Sequence, residues 1–218
     1  MYLGALGFGF GHYISSIEGM PFLEFYFAGL LCTTGMMVAY FESTYPNYTK
    51  LTYQKTYLSM SLTPITDKQI FYGEVFWGAT KGFMGSLGVF LISSFFGLFT
   101  LKFFVVAPIL FLLSLVFSAF GMIMISLAKN YDSFIFSTSG IIVPLSLISG
   151  TYFSLQEIPQ YLKIVAYLFP LSHAVKLVRT VLYKNLEPMD LVHLGVLVVY
   201  FVVFCLIGQK IFKKKLVS

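Results

Sequence analysis

Charge is what this chain has least of. Only 11% of its 218 residues are Asp, Glu, Lys or Arg, where a water-soluble domain of this size carries about a quarter. So few charges cannot cover a surface that faces water. With 58% hydrophobic residues and a mean hydropathy of +0.85, most of the outer surface must face lipid. Cysteine is scarce too. Cys32 and Cys205 both lie inside apolar runs, which argues against a disulfide scaffold and makes them small core residues. No G-x-x-x-x-G-K-[ST] loop occurs, so the chain is not expected to hydrolyse ATP itself. No H-E-x-x-H occurs, and His12, His173 and His193 stand far apart without metal-ligand spacing. Neither a metal nor a cofactor of its own is therefore expected. No basic stretch precedes the opening Met-Tyr-Leu-Gly-Ala-Leu, so no signal peptide is visible. The net charge of +5 is not gathered on a soluble face, which argues against nucleic acid as a partner. Four of the lysines (Lys210, Lys213, Lys214 and Lys215) close the last apolar run, as cytoplasmic anchors do.

What is present is a series of apolar runs. Five approach the roughly 20 residues that cross a bilayer, at 22–40, 75–96, 103–127, 134–153 and 191–211. A sixth, at 1–14, is shorter and reads as the outer half of a helix whose beginning is missing from this sequence. The lysine cluster puts the C-terminus in the cytoplasm, and counting backwards makes 41–74 and 128–133 cytoplasmic. The outer connections are then 15–21, 97–102 and 154–190.

Two connections are longer than turns. In 41–74, Thr63-Pro64 is a break, and Thr66-Asp67-Lys68-Gln69 has the capping-box pattern that starts a helix at Asp67. Before the break, Tyr48–Met60 is expected as a short helix on the membrane surface. In 154–190, Pro170 separates two amphipathic pieces. Ile158, Tyr161, Leu162, Val165 and Phe169 recur at helical spacing in one, and Leu171, Ala174, Val175, Val178 and Leu182 in the other, with Ser172 as a possible cap. Both are too short to cross, so a pair of helices on or dipping into the outer face is expected.

Few residues suggest chemistry. Ser137-Thr138-Ser139-Gly140 has a faint look of an intramembrane serine protease, but no histidine stands at matching depth, and small residues in spans more often pack helices. The polar stripe Ser137, Thr138, Ser139, Ser146 and Ser149 reads either as a path lining or as helix–helix hydrogen bonding. Glu24 and Lys81 fall inside apolar runs and read as snorkelling from near their helix ends.

Several stretches together resemble ABC-2 type transport permeases. They are Phe41-Glu42 with Tyr45, Lys50, Gln54 and Lys55; Gly73-Glu74 with Ala79-Thr80-Lys81; Tyr131-Asp132 with Phe134-Ile135-Phe136; Ser149-Gly150 with Ile158-Pro159; and Pro170-Leu171-Ser172-His173 with Leu177 and Arg179. The pattern is most similar to the lipooligosaccharide-exporter branch, typified by the permease that exports rhizobial nodulation factors. The resemblance implies an all-α integral membrane bundle of six helices, here with the first truncated. It also implies a cytoplasmic coupling segment at 41–74 and an outer re-entrant helix pair at 154–190, before the last helix. It implies a permease dimer bound to two ATPase subunits that hold the ATP, in a bacterial inner membrane, with an amphiphilic glycolipid-like or drug cargo. Glu42, Lys50 and Lys55 are the candidate contacts with the ATPase, and Pro170, His173 and Arg179 mark the re-entrant segment. The lysines read equally well as ordinary anchoring charge. Ser154 departs from the family, in which a proline usually follows the phenylalanine. A membrane scaffold or assembly protein that transports nothing is the alternative reading. A channel is disfavoured, because no acidic ring or filter-like stretch is present.

The topology is directly testable. Reporters fused after Lys50, Lys129 and Ser218 should report cytoplasm, and those after Lys102 and Glu157 the outside. A cytoplasmic signal at Glu157 would overturn the placement of both long connections.

Overall fold

Among the described residues, four helices are long and apolar enough to cross a membrane: α2 (Phe22–Thr52), α4 (Asp67–Ser93), α5 (Phe103–Leu127) and α10 (Asp190–Val217). This is a computed structural model, and it describes residues 2–14, 16–184 and 186–217. Met1, Ser15 and Ser218, which bound the first run, an outer connection and the C-terminus in the sequence reading, lie outside them. The other elements are α1 (Tyr2–Gly11), a hairpin of β1 (Ser16–Ile17) and β2 (Met20–Pro21), α3 (Thr56–Ser61), α6 (Asp132–Ser137), α7 (Val143–Ile148), α8 (Gln160–Tyr167) and α9 (Pro170–Tyr183). The described residues are therefore all-α apart from one short antiparallel hairpin, in which Ile17 faces Met20 across the Glu18-Gly19 turn. The helix α8 and its successor α9 pass the same test together, but they bend by 92° at the break before Pro170.

Helix boundaries follow local chemistry. At Thr66 the capping box is complete. The Thr66 N–H donates to Gln69 Oε1 at 2.8 Å and the Gln69 N–H to Thr66 Oγ1 at 3.4 Å, so α4 starts at Asp67 as its sequence indicates. Helix α2, by contrast, does not end at Tyr40 with its apolar run but continues to Thr52. Ser43, Thr44, Asn47 and Tyr48 are buried there against neighbouring helices, and packing keeps the helix going where hydropathy fades. At 31 residues α2 is about 46 Å long, against a hydrocarbon core of about 30 Å, so its end projects from the bilayer. The surface helix expected over Tyr48–Met60 is accordingly split. Its first part belongs to α2, and α3 begins only after a break at which Lys55 takes φ +53°.

The run at 134–153 forms α6, a π-turn at Thr138–Ile142 and α7, and it stops at Ile148. Gly150 follows at φ +81°, a left-handed position that ends a helix cheaply only with glycine. The expected stripe of hydroxyls there goes largely into helix bonds. Ser146 donates to Val143 O at 2.7 Å and Ser149 to Ser146 O at 3.2 Å, while Ser137 pairs with the Tyr40 hydroxyl. Lys81 lies mid-way along α4 rather than near its end, and its ammonium reaches back over the Trp77 ring at 5.1 Å. Glu24 sits in the first turn of α2, half-buried. Ser172 does not cap α9, whose N-cap is Phe169 and whose first residue is Pro170. Its predicted apolar face is buried as expected, but that of α8 is not: Tyr161 is 68% exposed and Val165 39%.

The core is a three-helix crossing of α2, α4 and α5, with α10 against α5. Its seam is made of small residues. A Cβ on Gly82 would lie 2.6 Å from Gly35 O, and one on Gly78 2.1 Å from Ser43 Oγ. Hydroxyls bond across the same seam. Ser86 Oγ donates to Leu31 O and Ser118 Oγ to Val75 O, both at 2.8 Å, and Ser43 Oγ meets Ser118 Oγ at 2.6 Å. Such contacts hold helices together where lipid offers no hydrophobic drive. Cys32 and Cys205 are buried and unpaired, as small core residues.

The seam predicts a clear asymmetry. Gly82→Ala should lower stability by about 1–3 kcal/mol through overpacking against backbone. Gly88→Ala on the same helix, with nothing within 4 Å of the added Cβ, should be neutral or stabilising. Melting of both variants in detergent checks this, and equal losses would place the tight seam elsewhere.

Candidate functional site

The connections sort into two ends. At one end, the last turns of α2, the turn at 128–133, α3 and the end of α10 meet. Tyr48 Oη donates to Lys129 O at 2.8 Å, Thr49 Oγ1 meets Tyr131 Oη at 2.6 Å, and the Tyr57 and Phe212 rings lie 5.5 Å apart. This is the lysine-rich end. Tyr45, Tyr48, Tyr131 and Phe134 pack there as an aromatic cluster, with the Tyr48 ring 5.1 Å from each of the last two. Sequence reading missed this cluster, for which the tyrosines at 45 and 48 on one helix face were the available signal.

The structure separates the three coupling candidates. Lys50 Nζ donates to both oxygens of Glu74 at 2.9 Å and to Asn47 Oδ1 at 3.2 Å, so its charge ties α2 to α4. Glu42 accepts from Trp77 Nε1 at 3.2 Å and fastens the same two helices one step nearer the bilayer. Lys55 alone of the three stands exposed, on the strained turn between α2 and α3. A groove between these elements is lined by Lys50, Met60, Ile65, Gln69, Glu74 and Trp77. Beneath it Tyr57 is buried, and burial, then the Glu74 carboxylate, push its phenol well above the usual tyrosine range.

At the other end, the hairpin end, α8 and α9 close over the start of α2. Pro170 sets the turn into α9. Arg179 is 7% exposed; its Nη2 donates to Gly150 O at 2.9 Å and Phe25 O at 3.2 Å, and its guanidinium lies 3.5 Å from the Phe25 ring centre. His173 is not isolated, as its place in the sequence suggests. Its Nδ1 lies 2.6 Å from Nδ1 of His193, and its Nε2 donates to Tyr167 O at 2.9 Å. That bond leaves Nδ1 of His173 to accept from His193. His12 takes no part in this pair, and among the described residues no group of three His, Cys, Asp or Glu is placed to hold a metal.

Glu18 completes this end and was not foreseen. It accepts from Ser154 Oγ at 2.5 Å and from Lys184 Nζ at 3.4 Å, across 136 and 166 residues. Ser154 thus supplies a hydroxyl that the proline expected there from the resemblance would lack. Burial alone would raise the Glu18 carboxyl. The Ser154 hydrogen bond and the charges of Arg179 and Lys184 outweigh it and hold the group below the usual carboxylate range. A cavity of about 540 Å³ opens here, lined by Glu18, Lys163, Lys176, Arg179, Lys184 and His193 among others.

The ABC-2 type transporter family matches residues 1–183. The chain is 30% identical to nodulation protein J of Rhizobium leguminosarum bv. viciae, over 99% of its own length and 84% of that protein's. It is 27% identical to nodulation protein J of Rhizobium meliloti, over 99% and 83%. It is also 26% identical to the inner membrane transport permease YadH of Escherichia coli, over 90% and 77%. No solved structure matches the chain.

The Lys50–Glu74 pair makes its own prediction. Lys50→Glu and Glu74→Lys should each lower the melting temperature in detergent, and the two together should recover most of the loss, with a coupling of about 1 kcal/mol for a partly exposed pair. Strictly additive losses would show that the pair carries no interaction.

Proposed function

From the premise that the chain belongs to the ABC-2 type transporter family and is the membrane permease of an ABC exporter, we propose that it moves an amphiphile outward across a bacterial inner membrane. It is a multi-pass membrane subunit that works with an ABC ATPase and is not that ATPase itself. In this reading the lysine-rich end is cytoplasmic and carries the C-terminus, the hairpin end is outer, and a second copy of the chain completes the path. The resemblance to the lipooligosaccharide-exporter branch favours a cargo of that kind, and the name of the relative YadH, an inner membrane transport permease, favours an inner-membrane place. A dimer gains support from α4 and α10, of which only 33% and 17% of the membrane-length window is buried within one chain. Phe76, Met84 and Leu91 form one exposed apolar row on α4, suited to a second copy or to lipid.

The observation that carries the coupling reading is the division of labour at the lysine-rich end. Glu42 and Lys50 fix the projecting end of α2 to α4, and Lys55 is left exposed beside the groove. The ATPase then docks on Lys55 and the α2–α3 turn, and closure of the ATPase on ATP is felt by α2 and α4 together. Differential contact in the two ATPase states is what shifts the permease between its own states.

The test uses the permease reconstituted with its ATPase. The chain alone should show no vanadate-sensitive ATP turnover. Lys55→Glu should leave membrane abundance unchanged and cut export relative to ATP turnover several-fold, since reversing a rim charge chiefly disturbs docking. The Lys50→Glu, Glu74→Lys double variant should export at nearly the normal rate. Normal export by Lys55→Glu would remove Lys55 from coupling, and turnover by the chain alone would contradict the permease assignment.

A further inference from the structure

The cavity at the hairpin end carries a surplus of positive charge. Lys163, Lys176, Arg179 and Lys184 surround it, and Glu18, the single carboxylate among its described lining, is already shared with Lys184 and Ser154. Neither Lys163, Lys176 nor Arg179 has an ion-pair partner among the described residues. Arg179 is the costly member, because a guanidinium buried this deeply needs compensation. Two carbonyls, the Phe25 ring and the nearby charge of Glu18 supply part of it, yet its Nε remains without a hydrogen-bond partner. The hydroxyl of Ser172, on a residue 1% exposed, is also without one. Other buried hydroxyls, such as that of Tyr183, also lack a hydrogen-bond partner, but Arg179 and Ser172 line the cavity, where an acceptor can reach them.

The placement is regular. Ser172, Lys176 and Arg179 stand at i, i+4 and i+7 on α9 and present one face to the cavity. Lys163 approaches from α8, whose Tyr161, Ile164 and Leu168 leave an apolar surface exposed beside it. A charged basin next to an apolar ledge matches a molecule with an anionic head and an acyl tail.

We propose that this cavity binds an oxyanion, a phosphate ester or a carboxylate, carried as the headgroup of an amphiphile. The donors are Lys163, Lys176, the Nε of Arg179 and the Ser172 hydroxyl. Charge-assisted hydrogen bonds to an oxyanion satisfy the two orphan donors and neutralise the surplus cations in one step. The proposal rests on the export reading only for what the amphiphile is. Binding is measured without the ATPase, so its failure leaves export untouched, and failed export leaves a measured affinity standing.

The experiment is isothermal titration calorimetry of the full chain in neutral detergent. The probes are dihexanoyl phosphatidic acid, dihexanoyl phosphatidylcholine and inorganic phosphate. Saturable binding of the phosphatidic acid, with no binding of the zwitterionic lipid, is the expected result. Lys163→Gln with Lys176→Gln should weaken it by about tenfold or more at an unchanged melting temperature. Ser172→Ala, which removes no charge, should weaken it several-fold, a loss that diffuse attraction to lysines does not give. Inorganic phosphate binding as tightly as the lipid would keep the oxyanion site and overturn its assignment to a headgroup. No saturable binding of either anion, or undiminished binding by the double variant, would overturn the site.

Discussion

Everything in this molecule depends on how closely α2, α4 and α5 approach one another. In lipid, apolar helices gain nothing by hiding from solvent, so association rests on close packing and on hydrogen bonds between helices. Gly35, Gly78 and Gly82 let the backbones come within a distance that a single methyl group would forbid. Ser43, Ser86 and Ser118 then spend their hydroxyls on groups of the neighbouring helix. The large aromatics, so abundant in this composition, cluster at the two ends, around Tyr45, Tyr131 and Phe134 and around Phe25 and Tyr26, and also pack between the helices, where Tyr40 stacks on Phe120 and Phe83 meets Phe111 edge to face.

The approach at the seam sets what the ends can do. With α2 and α4 side by side, Glu42 reaches Trp77 and Lys50 reaches Glu74, and two polar links form where the helices leave the bilayer. At the hairpin end, the same α2 offers Phe25 O to Arg179, while the turn after α7 offers Gly150 O. Polar groups that would be expensive singly are thus arranged in sets, each anchored on a helix the seam has already fixed. The Arg179 set alone is incomplete in donors satisfied, and it borders a cavity rich in positive charge.

Sequence reading reached the elements whose cause is local. The capping box at Thr66–Gln69 and the break at Pro170 are each specified by a few adjacent residues, and each appears in the structure, while of the long apolar runs the one at 134–153 breaks into α6, a π-turn and α7. The family was legible as well, because its motifs are ordered along the whole chain. What escaped was set by distant partners. Nothing near Tyr40 says that α2 continues to Thr52, because the reason is burial against α5 and α6. Glu18 looks like an ordinary turn residue until Ser154 and Lys184 arrive from more than a hundred residues away. His173 and His193 looked isolated for the same reason, and α8 looked amphipathic toward a core it does not face.

The arrangement of α2 also decides how the two ends can communicate. Pro46 lies inside the helix, between Glu42 and Lys50, and a proline there removes one backbone hydrogen bond and weakens the rod at that point. A weak point alone would let the last turns swing freely and lose any force applied to them. Here it is splinted on both sides, because Glu42 is bonded to Trp77 before the proline and Lys50 to Glu74 after it. Both partners lie on α4, one turn apart, so α4 bridges the gap in the hydrogen-bond ladder of α2. The two helices are therefore tied to each other on both sides of the proline. Helix α2 runs the length of the seam to Phe25, where it meets Arg179. Between the two ends the connection is packed helix throughout, with no loop in between.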